Sequence, residues 1–236
     1  MHLPEPPRMP AWNISLDEER VFIRCQEPFR ACSNALWNGG LARAQAILNS
    51  RVAGAYQSTD PQADVQRMIR QLGADPALTI GMLTAAQVSA AGVARMEGEQ
   101  FRLCAIVTAG VGNAVRAGRA HKTYPAYQAD TINTIVLLDG KLTDAAMLNA
   151  LITATEAKAA ALQDTGVRDA MGLAATGTST DAVVIAVRPD PQYRHVHLYA
   201  GTATTLGDAL AKAVYAATVT AVENERKRAR QKGEAR

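Results

Sequence analysis

The sequence predicts a single α+β (mixed α/β) domain, with helices packed on a mixed or largely antiparallel sheet. Three observations carry this expectation. Apolar runs at Phe101–Ala109, Thr131–Leu138 and Val183–Val187 have the length and composition of buried strands. The first two follow one another with only a polar loop between them. Helical segments are interspersed rather than alternating strictly with strands, which argues against a doubly wound Rossmann unit. Hydrophobic residues make up 48% of the 236-residue chain, so a substantial core can form. Aromatic residues are only 5%, so that core must be built mainly from Ala, Val, Leu and Ile.

Taken in order, residues 1–12 carry Pro4, Pro6, Pro7 and Pro10 and are expected to be a flexible tail. Val21–Arg24 and Phe29–Leu36 read as two short strands joined by a turn at Glu27-Pro28. Asn38-Gly39-Gly40 breaks the pattern, and Leu41–Leu48 then reads as a short helix. Asp60-Pro61 opens a clearer helix, with Asp60 as cap and Pro61 in the first turn. Its apolar stripe is Val65, Ile69 and Leu72, and Gly73 stops it. Ile80–Ala86 is a further strand candidate, Met96–Glu99 a turn, and residues 116–129 a polar surface loop. Thr143-Asp144 starts an Ala-rich helix that reaches Leu162 and ends near Gly166. Arg194–Tyr199 is expected to pair with the Val183–Val187 strand, and residues 206–230 form the last helix. The sequence shows no internal repeat and no inner linker, so residues 13–225 are read as one domain.

Charge and cysteine usage narrow the function classes. Basic residues number 25 against 22 acidic, a near balance that does not point to nucleic acid. Residues 226–236 are a basic tail, with Arg226, Lys227, Arg228, Arg230, Lys232 and Arg236. The segment reads as a solvated helix end, where cations are favourable; a nucleic-acid or membrane-surface role is the alternative. Cys25, Cys32 and Cys104 lack metal-ligand spacing and fit buried thiols in a reducing compartment. No apolar segment reaches the roughly 20 residues that span a bilayer, and the N-terminus lacks a secretory pattern. The expectation is a soluble cytoplasmic protein, with a homo-oligomer left open.

The polar clusters hold the chemistry. Gly177-Thr178-Ser179-Thr180-Asp181 crowds hydroxyls and a carboxylate against the Val183–Val187 strand. It lacks the second glycine of a Gly-x-Ser-x-Gly elbow, so three uses stay open: an anion cradle, a holder for a polar ligand, or a threonine nucleophile activated by a neighbouring base. Gly110-x-Gly112-Asn113 ends a strand but lacks the third glycine of a dinucleotide loop. Exposed N–H groups near Gly112, and an Asn113 able to bond a ligand amide, fit it better. Asn133 interrupts an apolar strand and is either a satisfied core amide or a site residue. On the long helix, Thr155 and Lys158 can neighbour each other, and Glu156 shares a face with Asn149 and Thr153. Glu156 is the preferred general acid or base. His195 and His197 face one way on a strand, yet no third ligand or metal motif accompanies them. His121 sits in the polar loop as an ordinary surface histidine. No metal site is expected.

Seven segments together carry a family resemblance. They are Asn38-Gly39-Gly40 with Asn49; Gly81-Met82-Leu83-Thr84-Ala85-Ala86; Thr108-Ala109-Gly110-Val111-Gly112-Asn113-Ala114; Thr131-Ile132-Asn133-Thr134-Ile135; Thr153-Ala154-Thr155-Glu156-Ala157-Lys158; Ala175-Thr176-Gly177-Thr178-Ser179-Thr180-Asp181; and Gly201-Thr202-Ala203 with Leu206-Gly207. In this order, over residues 14 to 224, the chain resembles the adenosylcobinamide amidohydrolase family of corrinoid salvage. Two positions depart from the pattern: Asp130 and Ser179 stand where glycine is expected.

The resemblance implies hydrolysis of the amide between aminopropanol and a propionate arm of the corrin ring in adenosylcobinamide. The products are adenosylcobyric acid, which re-enters cobalamin synthesis, and aminopropanol. It implies no cofactor, the corrinoid being the substrate, and no nucleic-acid or membrane partner. The site residues are read from this chain's own clusters. Thr178 or Thr180 attacks or positions water, and Asp181 and Glu156 serve as acid and base. N–H groups around Gly112 and Gly177 meet the oxyanion. Asn113, Asn133, Thr155 and Lys158 edge a cleft for the amide-fringed macrocycle. A corrinoid carrier without turnover is the alternative. A self-cleaving enzyme, exposing Thr178 or Thr202 as a new N-terminus, is a third reading.

Overall fold

The computed structural model describes residues 9–53, 56–119, 123 and 130–234, with the side chains beyond 231 excepted. The chain runs β1 (Trp12–Leu16), β2 (Arg20–Ser33), β3 (Gly40–Arg51), α1 (Pro61–Gln71), β4 (Thr79–Thr84), β5 (Gly92–Gly98), β6 (Phe101–Ala109), β7 (Ile132–Asp139), β8 (Lys141–Leu142), α2 (Asp144–Asp164), β9 (Ala182–Arg188), β10 (Val196–His197) and α3 (Thr205–Glu234). The main sheet has the order β4-β3-β2-β9-β7-β6-β5, with β1 added to β2. The β3–β4 and β7–β9 pairs are parallel, and the other neighbours are antiparallel. This is the α+β class with a mixed sheet that the sequence predicts.

Alternation along the strands shows how the sheet is layered. In β6, Leu103, Ala105 and Val107 pack with α2 and α3, through Ala150, Ala154, Leu210 and Val214. Cys104 and Ile106 face the other way, into a cluster with Ile23, Ile47 and Met82 from β2, β3 and β4. One apolar cluster therefore lies between the two halves of a single sheet, which folds back on itself. The fold-back runs through β2, whose register against β3 shifts between Arg24 and Phe29. On the outer face of the first half, Leu48 packs with Val65 and Ile69 of α1. The layers run α1, half-sheet, half-sheet, α2 with α3.

Several local expectations are corrected. Val21–Arg24 and Phe29–Ser33 belong to one bulged strand, β2, rather than two strands around a turn. Leu41–Leu48 is strand β3, because pairing with both β2 and β4 overrides its helical composition. Met96 and Glu97 extend β5, which pairs with β6 up to Gly98. Of the 194–199 segment, only Val196–His197 is strand, and it pairs with β8 rather than β9. Asp60 and Thr143 cap α1 and α2 as expected, accepting from the N–H groups of Ala63 and Ala146. The basic segment from Arg226 continues α3 as helix to Glu234. His121 and most of the 116–129 loop lie outside the described residues. Among the described residues no helix is long and apolar enough to cross a membrane.

Candidate functional site

The loop leading into β9 is built around one carboxylate. Asp181 Oδ1 accepts from Thr178 Oγ1 and from the Ile132 N–H at 3.1 Å. Its Oδ2 accepts from Lys158 Nζ and from the Thr178 N–H at 3.1 Å. Lys158 reaches it from α2 with its side chain only 6% exposed, against 13% for Asp181. Ion pairs this buried lose several kcal/mol if one partner is removed, roughly 3–5 kcal/mol. Gly177 passes so close that a β-carbon there would lie 2.5 Å from Asp181 Oδ2 and 2.8 Å from Lys158 Nζ. Asn34, at the end of β2, fastens the same loop: it donates to the Asp181 carbonyl at 2.8 Å and accepts from the Val183 N–H at 2.7 Å.

The loop after β6 meets the loop before β9. Val115 N–H donates to Gly177 O at 2.8 Å, and Gly177 N–H returns a bond to Val115 O at 3.4 Å. Asn113 Nδ2 donates to Ser179 Oγ at 2.9 Å. Thr131 Oγ1 donates to Thr180 O at 2.8 Å, and Thr180 Oγ1 to Asp130 O at 3.2 Å. Beside these loops lies a cavity of about 440 Å3, whose polar lining includes Asn34, Asp130, Thr131, Ser179, Thr180 and Asp181. Leu36, Met82 and Leu83 supply apolar wall. A cavity of this size suits a small ligand or one arm of a large one.

The structure thus brings together Thr178, Thr180, Asp181, Gly177, Lys158, Asn113 and Asn133, but not in the roles the sequence suggests for all of them. Lys158 is turned to Asp181 rather than to a ligand. Gly177 N–H already has an acceptor, so it is not an open oxyanion donor. Asn133 lines the cavity, yet its Nδ2 donates to Asn49 Oδ1 at 2.8 Å and Leu83 O at 2.9 Å, a cross-brace between the half-sheets. Gly112 is exposed at the turn after β6. Glu156 and Thr155 are exposed on α2, and Thr155 Oγ1 is turned back to Leu151 O. Asn149 and Thr153, grouped with Glu156 by spacing, instead hold Ala200 through its N–H and carbonyl.

Other nucleophiles and ligands are set apart. Burial pushes the Cys104 thiol up to about 12 and raises those of Cys25 and Cys32, the opposite of an activated thiolate. His195 and His197 stack edge to face, with ring centroids 5.1 Å apart, against Phe101 and away from the cavity. Among the described residues no group of three His, Cys, Asp or Glu side chains is placed to hold a metal ion.

Residues 11–230 match the family model described as adenosylcobinamide amidohydrolase. The chain is also 33% identical over 192 residues to the adenosylcobinamide amidohydrolase of Methanosarcina mazei, covering 79% of this chain and 86% of that one. This chain belongs to the adenosylcobinamide amidohydrolase family. An uncharacterized protein of Methanocaldococcus jannaschii is 34% identical over 158 residues, covering 59% of this chain and 60% of that protein. Among solved structures, a Burkholderia β-aminopeptidase aligns over 89% of this chain and 80% of its own, at TM-score 0.47 and 11% identity. The L-aminopeptidase D-Ala-esterase/amidase of Ochrobactrum anthropi aligns over 91% and 83%, at TM-score 0.43 and 14% identity. Family membership makes the chain a hydrolase of the amidohydrolase kind.

Proposed function

We propose that this chain hydrolyses the amide joining aminopropanol to a corrin propionate arm in adenosylcobinamide, releasing adenosylcobyric acid for cobalamin salvage. The observation that carries this reading is the hydrogen-bonded series Thr178–Asp181–Lys158, of which Asp181 lines the cavity, in a chain of this family. A hydroxyl bonded to a carboxylate is the arrangement an acyl-transfer nucleophile needs. The cavity takes the amide arm, and the macrocycle lies across its mouth.

In this reading Thr178 Oγ1 attacks the amide carbon while its proton passes to Asp181 Oδ1. The tetrahedral oxyanion lies against the N–H groups of Ser179 and Thr180, which meet no acceptor among the described residues. Collapse breaks the C–N bond, and the departing nitrogen takes the proton from Asp181. Water then attacks the Thr178 ester, giving a proton to Asp181, and Thr178 leaves with that proton. Lys158 touches no substrate; it fixes the carboxylate.

Incubation with adenosylcobinamide tests the reading through release of aminopropanol. Thr178→Ala should lower turnover by about 100-fold or more, with corrinoid binding kept, and Thr178→Ser should retain activity. Tight binding without release by the wild-type protein would make the chain a carrier. Near-normal turnover in Thr178→Ala would move the attack to water.

A further inference from the structure

We propose that Asp130 is the subsite for the amine half of the substrate, taking a small primary ammonium that carries a neighbouring hydroxyl. This rests on the hydrolytic reading above. Asp130 holds φ at +81°, a left-handed conformation that L-residues rarely adopt. The surrounding backbone keeps room for its carboxylate. A β-carbon at Gly112 would lie 2.4 Å from Asp130 Oδ2, and one at Gly110 3.1 Å from Oδ1. Gly110 N–H donates to Thr131 O at 2.9 Å, which pins that loop beside Asp130.

Charge then singles the residue out. The cavity is lined by two carboxylates, Asp130 and Asp181. Asp181 is paired with Lys158. Among the described residues, no Lys, Arg or His lines the cavity, and Asp130 enters no ion pair. An uncompensated carboxylate in a partly desolvated cavity favours a cation. Amide hydrolysis creates one. The nitrogen is neutral in the substrate, turns cationic when it takes the proton from Asp181 in the tetrahedral intermediate, leaves as a neutral amine and becomes an ammonium on taking a second proton from water. A carboxylate beside it attracts the protonated nitrogen of the intermediate, and then the ammonium product, more strongly than the neutral amide, which favours cleavage over mere substrate binding. The Thr180 and Thr131 hydroxyls at the same wall can meet the alcohol.

Calorimetric titration of the full chain with 1-amino-2-propanol tests this directly. Asp130→Asn and Asp130→Gly should each bind it at least about 10-fold more weakly than wild type, with the affinity for adenosylcobyric acid kept. Propane-1,2-diol, which lacks the charge, should bind all three proteins alike. Asp130→Gly is the folding control, because glycine takes φ +81° without strain. Equal affinity of wild type and both variants for the amino alcohol would overturn the proposal, as would no binding to wild type. A wild-type protein that hydrolyses nothing, yet binds the amino alcohol through Asp130, would support the subsite and overturn the hydrolytic reading.

Discussion

A methyl group added at Gly177 would sit 2.5 Å from Asp181 Oδ2 and 2.8 Å from Lys158 Nζ, so the ion pair would have to move. Gly177→Ala should therefore lower turnover by about 100-fold through misplacement of Asp181. An unchanged circular dichroism spectrum beside the lost activity is the expected result. Glu156 makes the opposite case. It is exposed on α2 and outside the cavity. Glu156→Gln should leave turnover near wild type, as surface changes do; a 100-fold loss would restore it as acid or base. The Gly177–Asp181 cluster was legible from its composition, but the partner of Asp181 was not. The signal was present in Lys158 itself, which stands on a helix face otherwise made of Met147, Ala150, Ala154 and Ala161. A lysine on such a face needs a buried anion, and the sequence does not say which one.

At the scale of elements, capped helices and fully apolar strands such as β6, β7 and β9 are legible in the sequence, whereas β3, which is fixed by pairing on both sides, is not. Helix α1 has Asp60, Pro61 and Gly73 to mark it, and α2 has Thr143. Replacing Thr143 by Ala should cost about 1 kcal/mol in urea unfolding, since the Ala146 N–H loses its acceptor. Strand β3 reads as helix by residue type, yet Ala44 and Ala46 are buried while Arg43 and Gln45 are exposed, a two-residue period. The parallel partner β4 is more than 25 residues away in the sequence, well beyond the dozen or so a parallel crossover requires, and leaves no local mark. At the β10 edge, burial holds the His197 imidazole below its ordinary value of 6.5, and His195 adds to this while a bond to Gln100 opposes it. The unfolded chain therefore binds a proton more readily than the folded one. This contribution to stability is full above pH 6.5 and is lost as pH falls below it toward the folded value. The thermal midpoint should fall less on acidification in His197→Gln than in wild type.

Over the whole molecule, the fold-back of the sheet is held at both ends by polar ties. At the cavity end, Asn133 and Asn49 link to each other, and Asn49 Nδ2 donates to Thr108 Oγ1 at 3.0 Å. Asn133→Ala should cost about 1–3 kcal/mol by leaving buried groups on β3 and β4 unpaired, measured as a lowered denaturation midpoint. At the far end, Asp139 accepts from Trp12 Nε1 at 2.9 Å and from Arg188 Nε at 2.8 Å, tying β1 to β7 and β9. None of these ties was legible in the sequence, because each joins residues that only the fold makes neighbours. The strand order has a consequence for biosynthesis. β9 is the last long strand to be translated, yet it lies between β2 and β7 at the middle of the sheet. Until the ribosome has released the chain past Arg188, the flanks of β2 and β7 wait open, two unsatisfied edges exposed to other nascent chains. Closure by a strand inserted so late is a slow, non-local event. The loop before β9 that carries Thr178 and Asp181 is thus assembled in the same stroke that seals the sheet, so a truncated chain ending before β9 has neither.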